Sequence, residues 1–302
     1  MTTTEIPLRY TKEEYIQPPH GFCVGCSIPI ALRWFLKVTG EKVILLMPPG
    51  CASPSVLFPK PSLIHQGKRI KMVATPFGSA AIFAGGVKSA LVARGDTETQ
   101  VVAWAGDGAT LDIGLAAVSA AAERNEGIIY VCYDNEAYQN TGNQRSSATP
   151  WGVRTTTNPL PKPKMEYKKD IMSIIIAHRI PYAATLSTAY PDDFMRKVQN
   201  AKRSSGFRFL HILTPCVTGW QFPLELGVKI SRLAVQTKVF PLFEAEGDAI
   251  TITKEPKGLP VEEYIRVQGR YRHLTKEQVD MIQNEVDKRW NQLQYLVRYG
   301  SK

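Results

Sequence analysis

The sequence predicts an α/β protein built on a parallel sheet with helices on both faces. Short apolar runs of strand length recur at 42–47, 100–105, 127–133, 182–186 and 207–213. Helical patterns lie between them at 79–93, 111–124, 170–177 and 191–201. The runs are apolar throughout rather than alternating, as strands buried on both sides must be, and alternating strand and helix patterns build parallel sheets. A chain of 302 residues, 44% of them hydrophobic, can bury one large core of this kind or two small ones.

Each element has a local reason. Residues 1–19 are polar and close on Pro18-Pro19, an arm expected to pack on something else. Ile30, Leu32, Trp34, Phe35 and Val38 recur at helical spacing and predict a helix over 28–38, directly after a Cys23-Val24-Gly25-Cys26 turn. The run at 42–47 is cut off by Pro48-Pro49-Gly50, and the Ala- and Gly-rich stretch at 79–93 reads as a tightly packed helix. The strand at 100–105 stops at Gly106; an Ala-rich helix and a β-branched, aromatic strand follow. From about 246 the pattern changes to a short β segment and a helix over 276–296, so the expected division is a main domain at 1–245 and an extension at 246–302, packed on it or on a partner. Between 134 and 167 little regular pattern survives Thr149-Pro150-Trp151-Gly152 and the prolines at 159, 161 and 163. Loops longer than about 12–15 residues are usually functional or disordered. Gly142, Asn143, Ser146 and Ser147 make this one a candidate ligand-wrapping loop.

Composition narrows the function. Lys+Arg 37 against Asp+Glu 27 gives a formal charge of +10, which suits nucleic acid, phosphorylated cofactors or an acidic partner. The basic stretches, Lys68-Arg69-Ile70-Lys71 and Lys162 to Lys164, are short and read as solvated loops. No zinc-finger, helix-turn-helix or RNA-recognition pattern accompanies them, so nucleic acid is not expected. No apolar run approaches the roughly 18 residues of a membrane span. The start, Met1-Thr2-Thr3-Thr4-Glu5, does not read as a signal peptide. Five cysteines with a Cys-x-x-Cys pair suit metal binding in a reducing cytoplasm better than a disulfide framework.

Two motifs carry chemistry. Gly106-Asp107-Gly108 ends one predicted strand, and Asn135 ends the next, after a helix of about four turns. A right-handed βαβ unit brings the carboxyl ends of both strands to one sheet edge, where open α/β sheets bind ligands. An Asp carboxylate and an Asn carbonyl held there are hard oxygen donors suited to Mg²⁺, which also takes diphosphate oxygens. The glycines let backbone approach the diphosphate, and the helix N-terminus near Ala109 offers N–H groups to an anion. The second motif is Cys23, Cys26, Cys51 and Cys216, one close pair and two singletons that each follow a predicted strand. Four thiolates fit tetrahedral zinc or a [4Fe–4S] cluster, and the two distant singletons tilt the reading toward the cluster. Cys132, inside the strand at 127–133, reads as core packing.

Gly106-Asp107-Gly108 with its downstream Asn resembles the diphosphate-binding motif of thiamine-diphosphate enzymes. Over about residues 18–275 the chain resembles the β subunit of pyruvate synthase, within the 2-oxoacid:ferredoxin oxidoreductase family. The shared stretches are Cys23-x-x-Cys26, Gly50-Cys51, Gly106-Asp107-Gly108, Tyr133 to Gly142, Gln144 to Pro150, Pro215-Cys216-x-Thr218-Gly219-Trp220 and Pro241-Leu242-Phe243-Glu244. The resemblance implies a thiamine-diphosphate-binding fold, with Asp107, Asn135 and the Ala137 carbonyl as Mg²⁺ ligands. It implies cofactor contacts from Gly50, Gly106, Gly108, Ala109, Asn140 and Thr141, Asn140 also facing the reacting centre. The four cysteines would hold a [4Fe–4S] cluster.

The implied reaction is oxidative decarboxylation of a 2-oxoacid, pyruvate first, with electrons passed to ferredoxin and the acyl group to coenzyme A. The resemblance also implies partners: an α subunit that binds the aminopyrimidine, a γ subunit and a ferredoxin-like δ subunit, or fused equivalents. Two departures, Pro48-Pro49-Gly50-Cys51 and Thr75-Pro76-Phe77-Gly78-Ser79-Ala80-Ala81, leave room for oxalate, an aryl glyoxylate or a branched 2-oxoacid. A zinc-stabilised, non-catalytic binding module is the reading from another class. Arg145 is open between a carboxylate holder and a loop-shaping residue, and His20 between a structural and a catalytic one.

Overall fold

The computed structural model describes residues 8–58, 62–65 and 68–300. Helix α1 (Ile28–Thr39) leads into strand β1 (Val43–Met47), short helix α2 (Ala52–Leu57), a small hairpin of β2 (Ile64–His65) and β3 (Lys68–Arg69), and strand β4 (Lys71–Ala74). Then come α3 (Ala80–Ala93), β5 (Gln100–Gly106), α4 (Leu115–Glu123), β6 (Ile129–Asp134), α5 (Ile171–Ile176), β7 (Tyr182–Ser187), α6 (Pro191–Arg203) and β8 (Arg208–Leu213). The chain closes with α7 (Val217–Trp220), α8 (Gly227–Gln236), β9 (Leu242–Glu246), β10 (Ala249–Lys254), α9 (Glu262–Ile265) and α10 (Lys276–Tyr299).

The large sheet has eight strands in the order β10-β9-β7-β8-β6-β5-β1-β4. Strands β4, β1, β5, β6, β8 and β7 pair in parallel, and β9 and β10 add an antiparallel edge. All six side chains of β6, β7 and β8 are buried. Alternate residues feed opposite faces: Val102 and Trp104 of β5 join Phe35 of α1 and Phe194 of α6, whereas Val101, Ala103 and Ala105 pack under α3 and α4. A third core lies beneath α7, α8 and α9, around Trp220, Ile230 and Tyr264.

Several elements depart from the sequence reading. The helix expected over 111–124 begins instead as a π-helical turn, Gly108–Asp112, and resumes as α4 at Leu115. A Cβ on Gly114 would lie 2.0 Å from the Ala109 carbonyl oxygen, so this glycine admits the irregular join. The sequence does not mark β4 as a strand, because it is a four-residue edge strand whose side chains are mostly exposed. The arm from residue 8 to 19 packs on this chain itself: Thr11 N–H donates to Lys37 O at 2.9 Å, Arg9 N–H to Gln199 Oε1 at 2.7 Å, and Ile16 bridges to Leu63. Residues 1–7 lie outside the described residues, as do the side chains at 68 and 69 in the first basic stretch.

Strand β9 runs through the boundary expected between 245 and 246, and β10 continues the main sheet. Helix α10 starts on a capping box, in which Thr275 Oγ1 accepts from Gln278 N–H and Gln278 Oε1 accepts from Thr275 N–H. It buries Trp290 and Leu293 in the same core as α3 and α4. Trp290→Ala is expected to cost about 3–5 kcal/mol through lost burial and the cavity left behind. Urea unfolding followed by circular dichroism should show the midpoint falling, and an unchanged midpoint would mean that α10 is not part of this core.

Candidate functional site

Strands β1 and β5 are neighbours, yet the chain leaves β1 toward β4 and leaves β5 toward β6. Their connections diverge, so a crevice opens at their carboxyl ends, the usual ligand position in such sheets. A cleft of about 240 Å³ lies there, lined by Pro49 to Cys51, Phe77, Gly106 to Ala109, Tyr133, Asn135 and Ala137 to Thr141. It gathers Gly50, Gly106, Asp107, Gly108, Ala109, Asn135, Ala137, Asn140 and Thr141, all of the expected cofactor-facing residues. The glycines are needed for packing: a Cβ on Gly108 would sit 2.3 Å from the Tyr138 ring, and one on Gly50 would sit 2.6 Å from the Tyr133 hydroxyl.

Asp107 is 1% exposed and accepts a 2.5 Å hydrogen bond from Ser146 Oγ. Burial, reinforced by the charge of Asp134, pushes its carboxyl well above the usual carboxylate range. Asn135 donates through Nδ2 to Cys51 Sγ at 3.7 Å. The other end of that amide then turns its oxygen toward Asp107 Oδ1 at 3.0 Å and the Ala137 carbonyl oxygen at 2.8 Å, with no donor between them. That amide oxygen is repelled by both neighbours unless a cation lies among the three oxygens or the amide is turned over, when its NH₂ donates to both. Ligands at about 2.1 Å from an octahedral Mg²⁺ stand about 3 Å apart, so the oxygen set fits such an ion.

The loop at 134–167 wraps this point. Tyr138 N–H donates to Gln144 O at 2.9 Å, closing a tight turn that carries Asn140 and Thr141 to the cleft wall, where both are exposed. Ser147 N–H and Tyr138 O–H both donate to Asp112, and Thr149 Oγ1 donates to Glu136 O at 2.6 Å. Arg145 pairs at 3.3 Å with exposed Glu166, which favours loop shaping over binding. His20 makes an edge contact with Phe22.

A buried charge network, missed in the sequence, supports the turn from Asp134 to Ala137. Lys168 Nζ lies 2.6 Å from Asp134 Oδ2 and 2.8 Å from Glu136 Oε1. His211 Nε2 lies 2.8 Å from Asp134 Oδ2, and Arg270 Nη2 lies 2.7 Å from Glu136 Oε2. Burial alone would raise the Asp134 carboxyl, but Lys168 and His211 hold it below the usual range. Burial works against charge on Lys168 too, yet Asp134 and Glu136 hold its amine above the ordinary lysine value. Glu136 sits at φ +65°, a left-handed conformation rare for glutamate. The signal available was the adjacent pair Asp134 and Glu136 around Asn135, but its cations come from positions 168 and 270.

Of the four motif cysteines Cys51 stands against Asn135, and Cys26, Cys216 and Cys23 lie near enough for their charges to bear on the Cys51 thiol. Gly25, at φ +79°, closes the Cys23–Cys26 turn, and a Cβ there would lie 2.9 Å from Leu224 O. Cys51 caps α2; Cys216 caps α7 and accepts from Gly219 N–H at 3.4 Å. All are free thiols. Burial pushes Cys26 and Cys51 up to about 12, with further contributions from the charges of the other motif cysteines. Cys132 lies apart, fully buried in β6. Among the described residues no three or more His, Cys, Asp or Glu side chains close round a single ion, and no helix is long and apolar enough to cross a membrane. A second cavity of about 690 Å³ lies under α10, behind Lys168 and His211, and contains none of the expected site residues.

Known proteins are similar to this chain in sequence and in fold. Residues 57–212 match the family described as thiamine pyrophosphate enzyme, C-terminal TPP binding domain. The chain is 44% identical to the pyruvate synthase subunit PorB of Methanothermobacter thermautotrophicus, over 93% of this chain and 97% of that one. It is 42% identical to the ketoisovalerate oxidoreductase subunit VorB of Pyrococcus furiosus, over 94% of each. In fold it is similar to a 2-oxoglutarate:ferredoxin oxidoreductase from Magnetococcus marinus, with a TM-score of 0.56 and 22% identity, covering 74% of this chain and 83% of that one. The chain belongs to the β subunits of the 2-oxoacid:ferredoxin oxidoreductases and is a thiamine-diphosphate-binding subunit of an enzyme complex.

Proposed function

We propose that this chain holds Mg²⁺-thiamine diphosphate in the β1/β5 crevice and a [4Fe–4S] cluster on Cys23, Cys26, Cys51 and Cys216, and that its complex oxidatively decarboxylates a 2-oxoacid. The observation that carries the reading is the convergence of the Asp107 carboxylate, the Asn135 amide and the Ala137 carbonyl, within 3.0 Å of the amide, in a glycine-lined crevice. When bound, thiamine diphosphate supplies the carbanion chemistry that releases CO₂ from a 2-oxoacid, and the cluster takes up electrons singly. Asp107, Asn135 and the Ala137 carbonyl hold the cation; Gly50, Gly106, Gly108, Ala109 and Thr141 let the backbone close on the cofactor. Asn140, exposed on the cleft wall, is the residue offered to substrate. A one-electron acceptor requires a redox-active centre beside the cofactor, which zinc is not. Such thiolates belong in a reducing cytoplasm.

Pyruvate is the proposed substrate. A branched 2-oxoacid is the second reading, favoured by the similar identity to the ketoisovalerate relative. Coenzyme A as acyl acceptor, ferredoxin, and α, γ and δ subunits complete the proposal. Turnover of a 2-oxoacid panel by the purified complex, with a viologen dye as acceptor, tests it; absence of turnover with every acid would sink it.

Asp107→Ala is expected to abolish retention of thiamine diphosphate while iron content stays near normal, since the oxygen ligands are broken and the thiols remain. Unchanged cofactor affinity by calorimetry would remove the Mg²⁺ assignment. Cys216→Ala is expected to lower iron content and stop dye reduction, whereas Cys132→Ala does neither; equal iron loss from the two would undo the sorting of the cysteines. The chain purified alone should show no turnover and weak cofactor binding, because the carboxylate that activates the aminopyrimidine is proposed to come from the α subunit. Activity of the verified-pure chain would contradict that division.

A further inference from the structure

A single buried arginine touches both halves of the proposed site. Arg270 lies in the 3₁₀ turn Gly269–Tyr271 and is 1% exposed. Its guanidinium carbon is 3.7 Å from the centroid of the Trp220 ring, and its Nη2 is 2.7 Å from Glu136 Oε2. Trp220 closes the turn that begins at Cys216, donating its main-chain N–H to Cys216 O at 2.9 Å. Glu136 stands between Asn135 and Ala137 in its left-handed conformation. A direct link also crosses the gap, because Trp220 Nε1 donates to Asn135 O at 2.9 Å. The backbone of the arginine's own turn is fixed against the same place: Gly269 N–H donates to Gln221 O at 2.9 Å, and a Cβ on Gly269 would lie 2.7 Å from the Gln221 Cβ.

We infer that Arg270 is a positioning residue that locks the Cys216–Trp220 turn and the Asn135–Ala137 turn in one register. The inference rests on the proposed roles of those turns as cluster and Mg²⁺ holders. A guanidinium can lie flat on an indole and pair with a carboxylate at once, while a lysine amine makes the ion pair without the planar stack. A left-handed glutamate persists where its surroundings over-determine it: Lys168 hydrogen-bonds Glu136 Oε1, and the Arg270 guanidinium stands as an opposite charge 2.7 Å from Oε2. Releasing the Arg270 grip frees the Ala137 carbonyl and the Asn135 side chain to drift from Asp107. It also frees the Trp220 ring, and Cys216 with it. The segment after residue 246 thereby takes part in the site through this one side chain.

The test uses the anaerobically purified complex with its partner subunits, in parent, Arg270→Lys, Arg270→Met and Trp220→Phe forms. Three quantities are read: Mg²⁺-thiamine diphosphate affinity by calorimetry, iron content, and the electron paramagnetic resonance spectrum of the reduced cluster. Arg270→Met is expected to weaken cofactor affinity roughly ten- to a hundredfold, the range for loss of a residue that orients metal ligands. Its iron content should hold while the cluster spectrum shifts. Arg270→Lys should recover most of the affinity, through Glu136, but keep the shifted spectrum. Trp220→Phe leaves a ring beneath the guanidinium and should weaken affinity less than Arg270→Met. If Arg270→Met does not assemble, Arg270→Met with Glu136→Gln, neutral on both sides, serves in its place. Parent-like affinity and spectrum in Arg270→Lys and in the assembled methionine variant would overturn the inference alone. A parent complex that binds neither cofactor nor iron would instead overturn the proposed function, and this inference with it.

Discussion

The amine of Lys168 holds together the charge balance on which the candidate site is built. Asp134 and Glu136 flank Asn135 and are both buried, so two carboxylates stand in a place where neither would ionise alone. Lys168 pairs with both, His211 meets the same Asp134 oxygen as Lys168, and Arg270 faces the other Glu136 oxygen. Removing one partner from such a network typically costs about 3–5 kcal/mol, because the abandoned charge stays buried. The network fixes the peptide between the two acids, and the Asn135 amide and the Ala137 carbonyl are held with it. Without it, Glu136 has no reason to remain at φ +65°.

Topology then decides what that rigid turn faces. Because β6 lies beside β5 in parallel register, Tyr133 of β6 comes level with Gly106 of β5, and Asp107 and Asn135 leave the sheet at the same edge. Strand β1 on the other side of β5 delivers Gly50 and Cys51 there. The oxygens and a thiol thus meet at Asn135, whose amide oxygen looks into the crevice and whose Nδ2 reaches Cys51. One side chain thus stands between the crevice oxygens and the thiol of Cys51.

The segment after 246 is part of this arrangement rather than an accessory to it. Strand β10 covers the edge of β9, α10 seals the core around Trp290, and the turn between them brings Arg270 against Trp220 and Glu136. An edge strand paired in this way leaves fewer open backbone groups on that side of the sheet.

The strand and helix alternation is legible in the residues alone, since runs such as 100–105 and 127–133 are apolar on both faces, as strands in a covered parallel sheet are. So are the strand ends at Gly106-Asp107-Gly108, Asn135 and Gly50-Cys51, because turn residues punctuate each apolar run. The order of strands, and hence the crevice between β1 and β5, came from tertiary pairing, for nothing local marks β4 as an edge strand. The π-helical turn at Gly108 is another such decision, admitted by Gly108 and Gly114, where a Cβ would meet the Tyr138 ring and the Ala109 carbonyl. Most of all, the ion pairs that hold the turn link Glu136 to Lys168 and Arg270, far apart in the chain. A charge shows its sign in the sequence, but its partner is settled by which surfaces the core brings together.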